Sequence, residues 1–114
     1  MAARANLQID QGATFSTDVT VTNADGTAFN LTDHSASAKM ALGYASTRTR
    51  TNLTTSIAAD PTSGVLTLSL TSTQTDALEA PARYVYDVEV TNSNTNEVTR
   101  VIEGIITINP SVTT

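Results

Sequence analysis

The sequence predicts an all-β fold, a single antiparallel β-sandwich of about seven strands with one short helical turn. Three observations predict it. Apolar and polar residues alternate with a period of two along most of the 114-residue chain, as strands with one buried face require. Clusters of Asn, Asp, Gly and Pro interrupt that alternation every 8–14 residues or so, roughly the spacing of a sandwich. The composition fits as well. Threonine fills 22 positions and serine 10, while aromatic residues are only 4%. The branched Cβ of Thr packs well on a pleated surface. A core built from Val, Ile, Leu and Ala is thin, and two sheets about 10 Å apart enclose such a core.

Taken in order, the first strand runs from Ala13 to Thr22, with Phe15, Val19 and Val21 alternating against Ser16, Asp18, Thr20 and Thr22. Asn23-Ala24-Asp25-Gly26-Thr27 follows as a turn, because Asp-Gly tolerates the positive φ a tight reversal needs. Phe29 and Leu31 re-enter the core. Ala36, Ala38, Met40 and Leu42 then alternate with Ser35, Ser37 and Lys39 in a second strand. Residues Tyr44 to Asn52, carrying Arg48 and Arg50 among Ser and Thr, read as an exposed loop. Leu53, Thr55 and Ile57 form a short strand. Ala59-Asp60-Pro61-Thr62-Ser63-Gly64 is a turn, with Pro fixing φ and Gly permitting φ > 0. Leu66, Leu68 and Leu70 mark the next strand.

Thr71 to Leu78 breaks the period of two. Its leading hydroxyls and the Ala77-Leu78-Glu79 segment indicate one capped helical turn, ended by Pro81. Arg83 to Val90 is the clearest strand, with Tyr84, Tyr86, Val88 and Val90 on one face. Asn92-Ser93-Asn94-Thr95-Asn96 is a turn. The last strand spans about Val98 to Ile108, with Ile102, Ile106 and Ile108 pointing one way and Val101 and Ile105 the other. This succession of short strands is that of an immunoglobulin-like sandwich. Residues 1–114 make one domain, and Met1 to Asn6 stands apart, either as a flexible segment or as an arm that reaches into a neighbour.

Composition also bounds the function. There is no cysteine, one histidine and a formal net charge of −5. Disulfides and thiolate chemistry are therefore excluded, and most acid–base chemistry near neutral pH lacks its usual groups. An acidic chain is a poor nucleic-acid binder. No apolar run reaches the roughly 18 residues of a membrane span, and the start has no apolar signal segment. The expectation is a non-enzymatic protein with no cofactor, no metal, no nucleic acid and no membrane partner.

Individual residues support that reading. His34 beside Asp33 would need a serine on the same face to act as a base, but adjacent strand residues point oppositely, so His34 reads as a solvated turn residue. The seven aspartates are scattered and none follows the spacing of a calcium loop. Asn30-Leu31-Thr32 and Asn52-Leu53-Thr54 match the glycosylation tripeptide by chance in so Thr-rich a chain. Tyr84 and Tyr86 with Asp87 could form a carbohydrate platform, but their shared face fits core packing better. Arg48 and Arg50 read as solvated charges or as ion-pair partners of a neighbouring subunit. The last strand is apolar on both faces. A solvent-backed sheet should not be, so either this is a central strand covered on its second face or Val101 and Ile105 lie at a protein interface.

An ordered series of short motifs carries a resemblance. Gly12-x-x-Phe15, Asp25-Gly26-Thr27 with Leu31-Thr32, and Gly64 opening a strand come first. Thr75-x-x-Leu78, Arg83-Tyr84-Val85-Tyr86-Asp87-Val88, Glu103-Gly104 and Pro110-Ser111-Val112-Thr113 complete it. The series spans nearly the whole chain and resembles the small β-sandwich virion structural proteins of tailed bacteriophages, of cyanophage and marine-phage type. It is similar to the amino-terminal domain of upper baseplate proteins. Ala80-Pro81-Ala82 stands where that family often has Gly before the Arg-Tyr pair. The resemblance implies a part of the virion, assembled in the host cytoplasm in multiple copies, whose partners are other virion proteins of the tail, baseplate or neck. The alternative placement is capsid decoration, on the major capsid protein. A carbohydrate-binding adhesion module is the rival from another class.

Overall fold

The structure, a computed structural model, describes residues 3–43 and 49–112. Its strands are β1 (Ala3–Arg4), β2 (Leu7–Asp10), β3 (Phe15–Thr20), β4 (His34–Ala41), β5 (Thr51–Ile57), β6 (Val65–Leu70), β7 (Ala82–Asn92) and β8 (Val98–Asn109). A 3₁₀ turn at Pro61–Ser63 precedes β6, and helix α1 (Ser72–Asp76) separates β6 from β7. The hydrogen-bonded order is β1-β8-β7-β4-β5-β6-β3, with β2 also on β8.

One sheet thus curls over on itself into a half-barrel, and β5 is the corner. Thr51–Leu53 pairs with β4, whereas Thr54–Ile57 pairs with β6. The first layer holds β2, β8, β7 and β4; the second holds β6 and β3. The predicted sandwich is therefore joined through a strand that serves both layers. Between them lies one apolar cluster, including Leu66, Leu68 and Leu70 of β6 with Val88, Ile102 and Ile106. Each of these side chains is almost fully withdrawn from water, the main stabilising contribution in so thin a core.

The turn chemistry follows from the residues. Asp60 accepts from the Thr62 N–H and hydroxyl and starts the 3₁₀ turn. Gly64 closes it at φ 72°, pressed so tightly against the Val21 carbonyl and the Phe29 backbone that a Cβ would not fit. At α1 the expected cap is a full capping box. Thr71 Oγ1 accepts from the Gln74 N–H, and Gln74 Oε1 accepts from the Thr71 N–H. Thr75 is wholly buried. Its hydroxyl donates to Ala13 O (2.8 Å) and accepts from Gly12 N (3.0 Å), which docks α1 on the β2–β3 turn. At the corner before β7, the Tyr84 hydroxyl accepts from the Glu79 N–H at 2.9 Å. The bond pins the turn before β7 to the start of the strand.

Four expectations need correction. Residues 3–6 are not a flexible arm: β1 and β2 add to the edge of β8, with Ala3 opposite Ile102 and Leu7 opposite Ile106. Both run parallel to β8, so the sheet is not wholly antiparallel. Leu42 lies beyond the end of β4 and is exposed, while Ala41 on the opposite face is buried.

The fourth correction concerns Val101. The β7–β8 register shifts between Val88 and Glu89: Val88 faces Ile102, but Glu89 faces Arg100. Val101 is the extra residue of a β-bulge. A bulge suspends strict alternation, so Val101 (6% exposed) and Ile102 (1%) are both buried.

Candidate interaction surface

The residues singled out from sequence do not form one site. Val101 belongs to the core cluster of the isolated chain, so it offers no free interface surface. It also walls a groove of about 440 Å³ beside Ala3, Val21 and Phe29. Arg48 lies outside the described residues, as do Tyr44 and most of the loop around it. Arg50 is exposed and donates to Gly43 O at 3.4 Å. It lines a small cavity of about 110 Å³ with Lys39, Ala41, Val85 and Asp87, over the outer face of β4 and β7.

Ile105 lies on the opposite face of β8 from Ile102, Ile106 and Ile108. It is half-buried on the outer face of β8, directly opposite Val85 of β7. Val85 in turn faces Ala41 of β4. The three form an apolar row across adjacent strands, on the face turned away from the core; Ala41 is already buried there, beside Gly43 and Arg50, so Val85 and Ile105 are the part left to cover. Below it runs a charged row, Lys39, Asp87, Glu103 and Arg4, set by the β4–β7, β7–β8 and β1–β8 registers. Above it stand Arg83 and Thr107. Arg100 Nε contacts Asp87 Oδ2 at 3.4 Å with both side chains well exposed. Sequence alternation alone could have found Val85, because it interrupts the polar positions Arg83 and Asp87.

The β8 edge of this face is locked from the side. The Tyr86 hydroxyl, on the core face of β7, donates to Ala5 O. Ala5 N donates to Glu103 O at 2.9 Å, and Asn6 Oδ1 accepts from the Ile105 N–H at 3.1 Å. A Cβ on Gly104 would collide with the Ala5 carbonyl, so the Glu103-Gly104 motif is the seat for the β1–β2 connection. Burial pushes the Tyr86 phenol up to about 12, because the phenolate would be poorly solvated there.

The remaining candidates have structural roles. Tyr84 and Tyr86 are buried with their hydroxyls bonded to backbone, so neither presents a ring to a sugar. His34 begins β4, packs edge-on against Phe29 with ring centroids 5.4 Å apart, and its Nδ1 lies 2.9 Å from Thr32 O. Asp33, at φ 61°, holds the β7–β8 turn through its carbonyl, which accepts from the Ser93 N–H and hydroxyl. The Asp25 carboxyl accepts from the Thr27 hydroxyl and N–H, which holds it below the usual carboxylate range. Among the described residues no three His, Cys, Asp or Glu side chains gather as a metal site, and no helix is long and apolar enough to cross a membrane.

No protein-family profile matches the chain, and no curated protein matches it.

Proposed function

We propose that the chain is a non-enzymatic structural protein of a tailed-phage virion, an immunoglobulin-like module that makes protein–protein contacts in the tail, baseplate or neck. The observation that carries this reading is the Val85–Ile105 pair in the middle of an outer sheet face. Apolar side chains there gain from being covered, and the flanking Arg83, Lys39, Asp87 and Glu103 offer charges of both signs that a complementary partner can pair. The ordered motif series lends its support, since its members have structural jobs. Gly12 and Thr75 join α1 to the β2–β3 turn, Tyr84 makes the corner, and Gly104 seats Ala5. They specify a scaffold, and a scaffold with a coverable face suits repeated use in an assembly.

Localisation to the virion, after assembly in the host cytoplasm, and binding to other virion proteins belong to the same proposal. Cryo-electron microscopy of the purified particle tests it. Density for this sandwich in tail, baseplate or neck is the expected result. Density on the head, seated on capsomers, would make it a capsid decoration protein. Absence of the chain from purified particles would overturn the virion assignment altogether.

A further inference from the structure

We propose that the outer face of β4, β7 and β8 pairs with the same face of a second copy of this chain, about a two-fold axis running along the Val85–Ile105 row. This deepens the assembly reading above by naming the partner.

The argument is one of symmetry. An isologous contact must be complementary to itself. On β7 the outward residues read Arg83, Val85, Asp87, with the apolar residue flanked by opposite charges two positions to either side. A two-fold axis in the plane of the contact, perpendicular to the strands and passing over Val85, sends each strand onto its reverse. Val85 then meets Val85 of the second copy, and Ile105 meets its counterpart. Arg83 meets the second copy's Asp87, and Asp87 meets its Arg83. Thr107, opposite Arg83, falls against Glu103, which lies opposite Asp87.

The other face-to-face arrangement, with the axis along β7, fails the same test. It would set Arg83, Asp87 and Glu89 each against its own copy, three like-charge encounters on the axis. Like charges in apposition disfavour an interface strongly. The favoured arrangement keeps the strands of the two faces aligned, as packed sheets require.

Among the described residues no strand or helix lies across this face. Three strands at ~4.8 Å spacing over a length of ~25 Å give a contact on the order of 350 Å² a side. That is at the small end for a specific interface, so the free dimer is weak and concentration-dependent.

Sedimentation velocity on the purified chain, from about 5 µM to about 500 µM, tests the proposal in the range where so small an interface associates. A reversible monomer–dimer equilibrium is expected. Arg83→Asp or Asp87→Arg alone should weaken it roughly tenfold or more, by placing like charges in apposition twice. The double exchange, Arg83→Asp with Asp87→Arg, should restore association, because the pattern is again self-complementary. Thermal unfolding of each variant checks that the fold is intact; the exchange disturbs the exposed Arg100–Asp87 contact, which contributes little. A chain that stays monomeric throughout overturns the proposal, as does a dimer indifferent to either single change. Capture of a different virion protein by this face in a monomeric chain also overturns it. None of these outcomes bears on whether the chain is present in the particle, so the virion assignment stands or falls separately.

Discussion

The Tyr86 hydroxyl of β7 reaches across the sheet to donate a hydrogen bond to the carbonyl of Ala5, 81 residues away in sequence. That bond ties the amino-terminal segment to the strand that carries the outward Val85. The phenol is neutral when it donates, and burial raises its pKa from 10.0 to about 12. The folded state therefore holds this proton more tightly than the unfolded chain does. The associated stability is fully present below pH 10 and is lost as pH rises from about 10 to about 12. We expect chemical-denaturation midpoints to fall across that window, and to fall less in Tyr86→Phe. That variant should also cost ~1 kcal/mol at neutral pH. An ultraviolet titration in which the Tyr86 phenol ionises near 10 would contradict this account.

Gly104→Ala tests the seat of the same segment. The added methyl meets the Ala5 carbonyl, and neither backbone can retreat without breaking the Ala5–Glu103 or Asn6–Ile105 hydrogen bond. A loss of about 1–3 kcal/mol is expected. Amide exchange should show faster exchange at Ala5 and in β2, with β6 unchanged. Uniform exchange across all strands would mean that β1 and β2 are integral to global folding rather than an added edge.

Thr75→Val preserves shape and removes the hydroxyl. It leaves the Ala13 carbonyl and the Gly12 N–H without their partner, at a partly buried junction between α1 and the β2–β3 turn. A cost of about 1 kcal/mol follows from losing the two hydrogen bonds at that junction. Thr75→Ser keeps the hydroxyl and should recover most of that cost in thermal or urea unfolding.

Val101 and Ile105 should respond differently to the same change. Val101→Asp places a carboxylate in the core cluster and should unfold the domain, since an unpaired buried charge costs several kcal/mol. Ile105→Asp places it on the outer face and should leave a folded chain, seen by circular dichroism, that no longer assembles. An unfolded Ile105→Asp would assign that face to the core and remove the basis for an interface there.

Much of this architecture is written in short-range pattern. Leu66-Thr67-Leu68-Ser69-Leu70 and Tyr84 to Val90 alternate so regularly that strand and buried face follow from the residues alone. Asp60 to Gly64 and the Thr71–Gln74 box declare their turns by local hydrogen-bonding capacity, which is also local in the structure. Leu7-Gln8-Ile9-Asp10 has the same alternation, but four residues are too few to separate a strand from an irregular end.

The sequence by itself determined the fold class, the turn positions, the buried tyrosines and the outward placing of Ile105, since each depends on residues within a few positions of one another. Tertiary structure decided three further matters. It paired β1 and β2 in parallel with β8, a contact about 100 residues distant that no local pattern encodes. It put the bulge at Val101, where one unpaired residue reverses the faces and turns a predicted contact into core. It also aligned Val85 with Ile105, and Asp87 with Lys39 and Glu103, across three strands. Register is a property of strand pairs, fixed by burial of a whole face at once, and so the outer row exists only once the sheet is assembled.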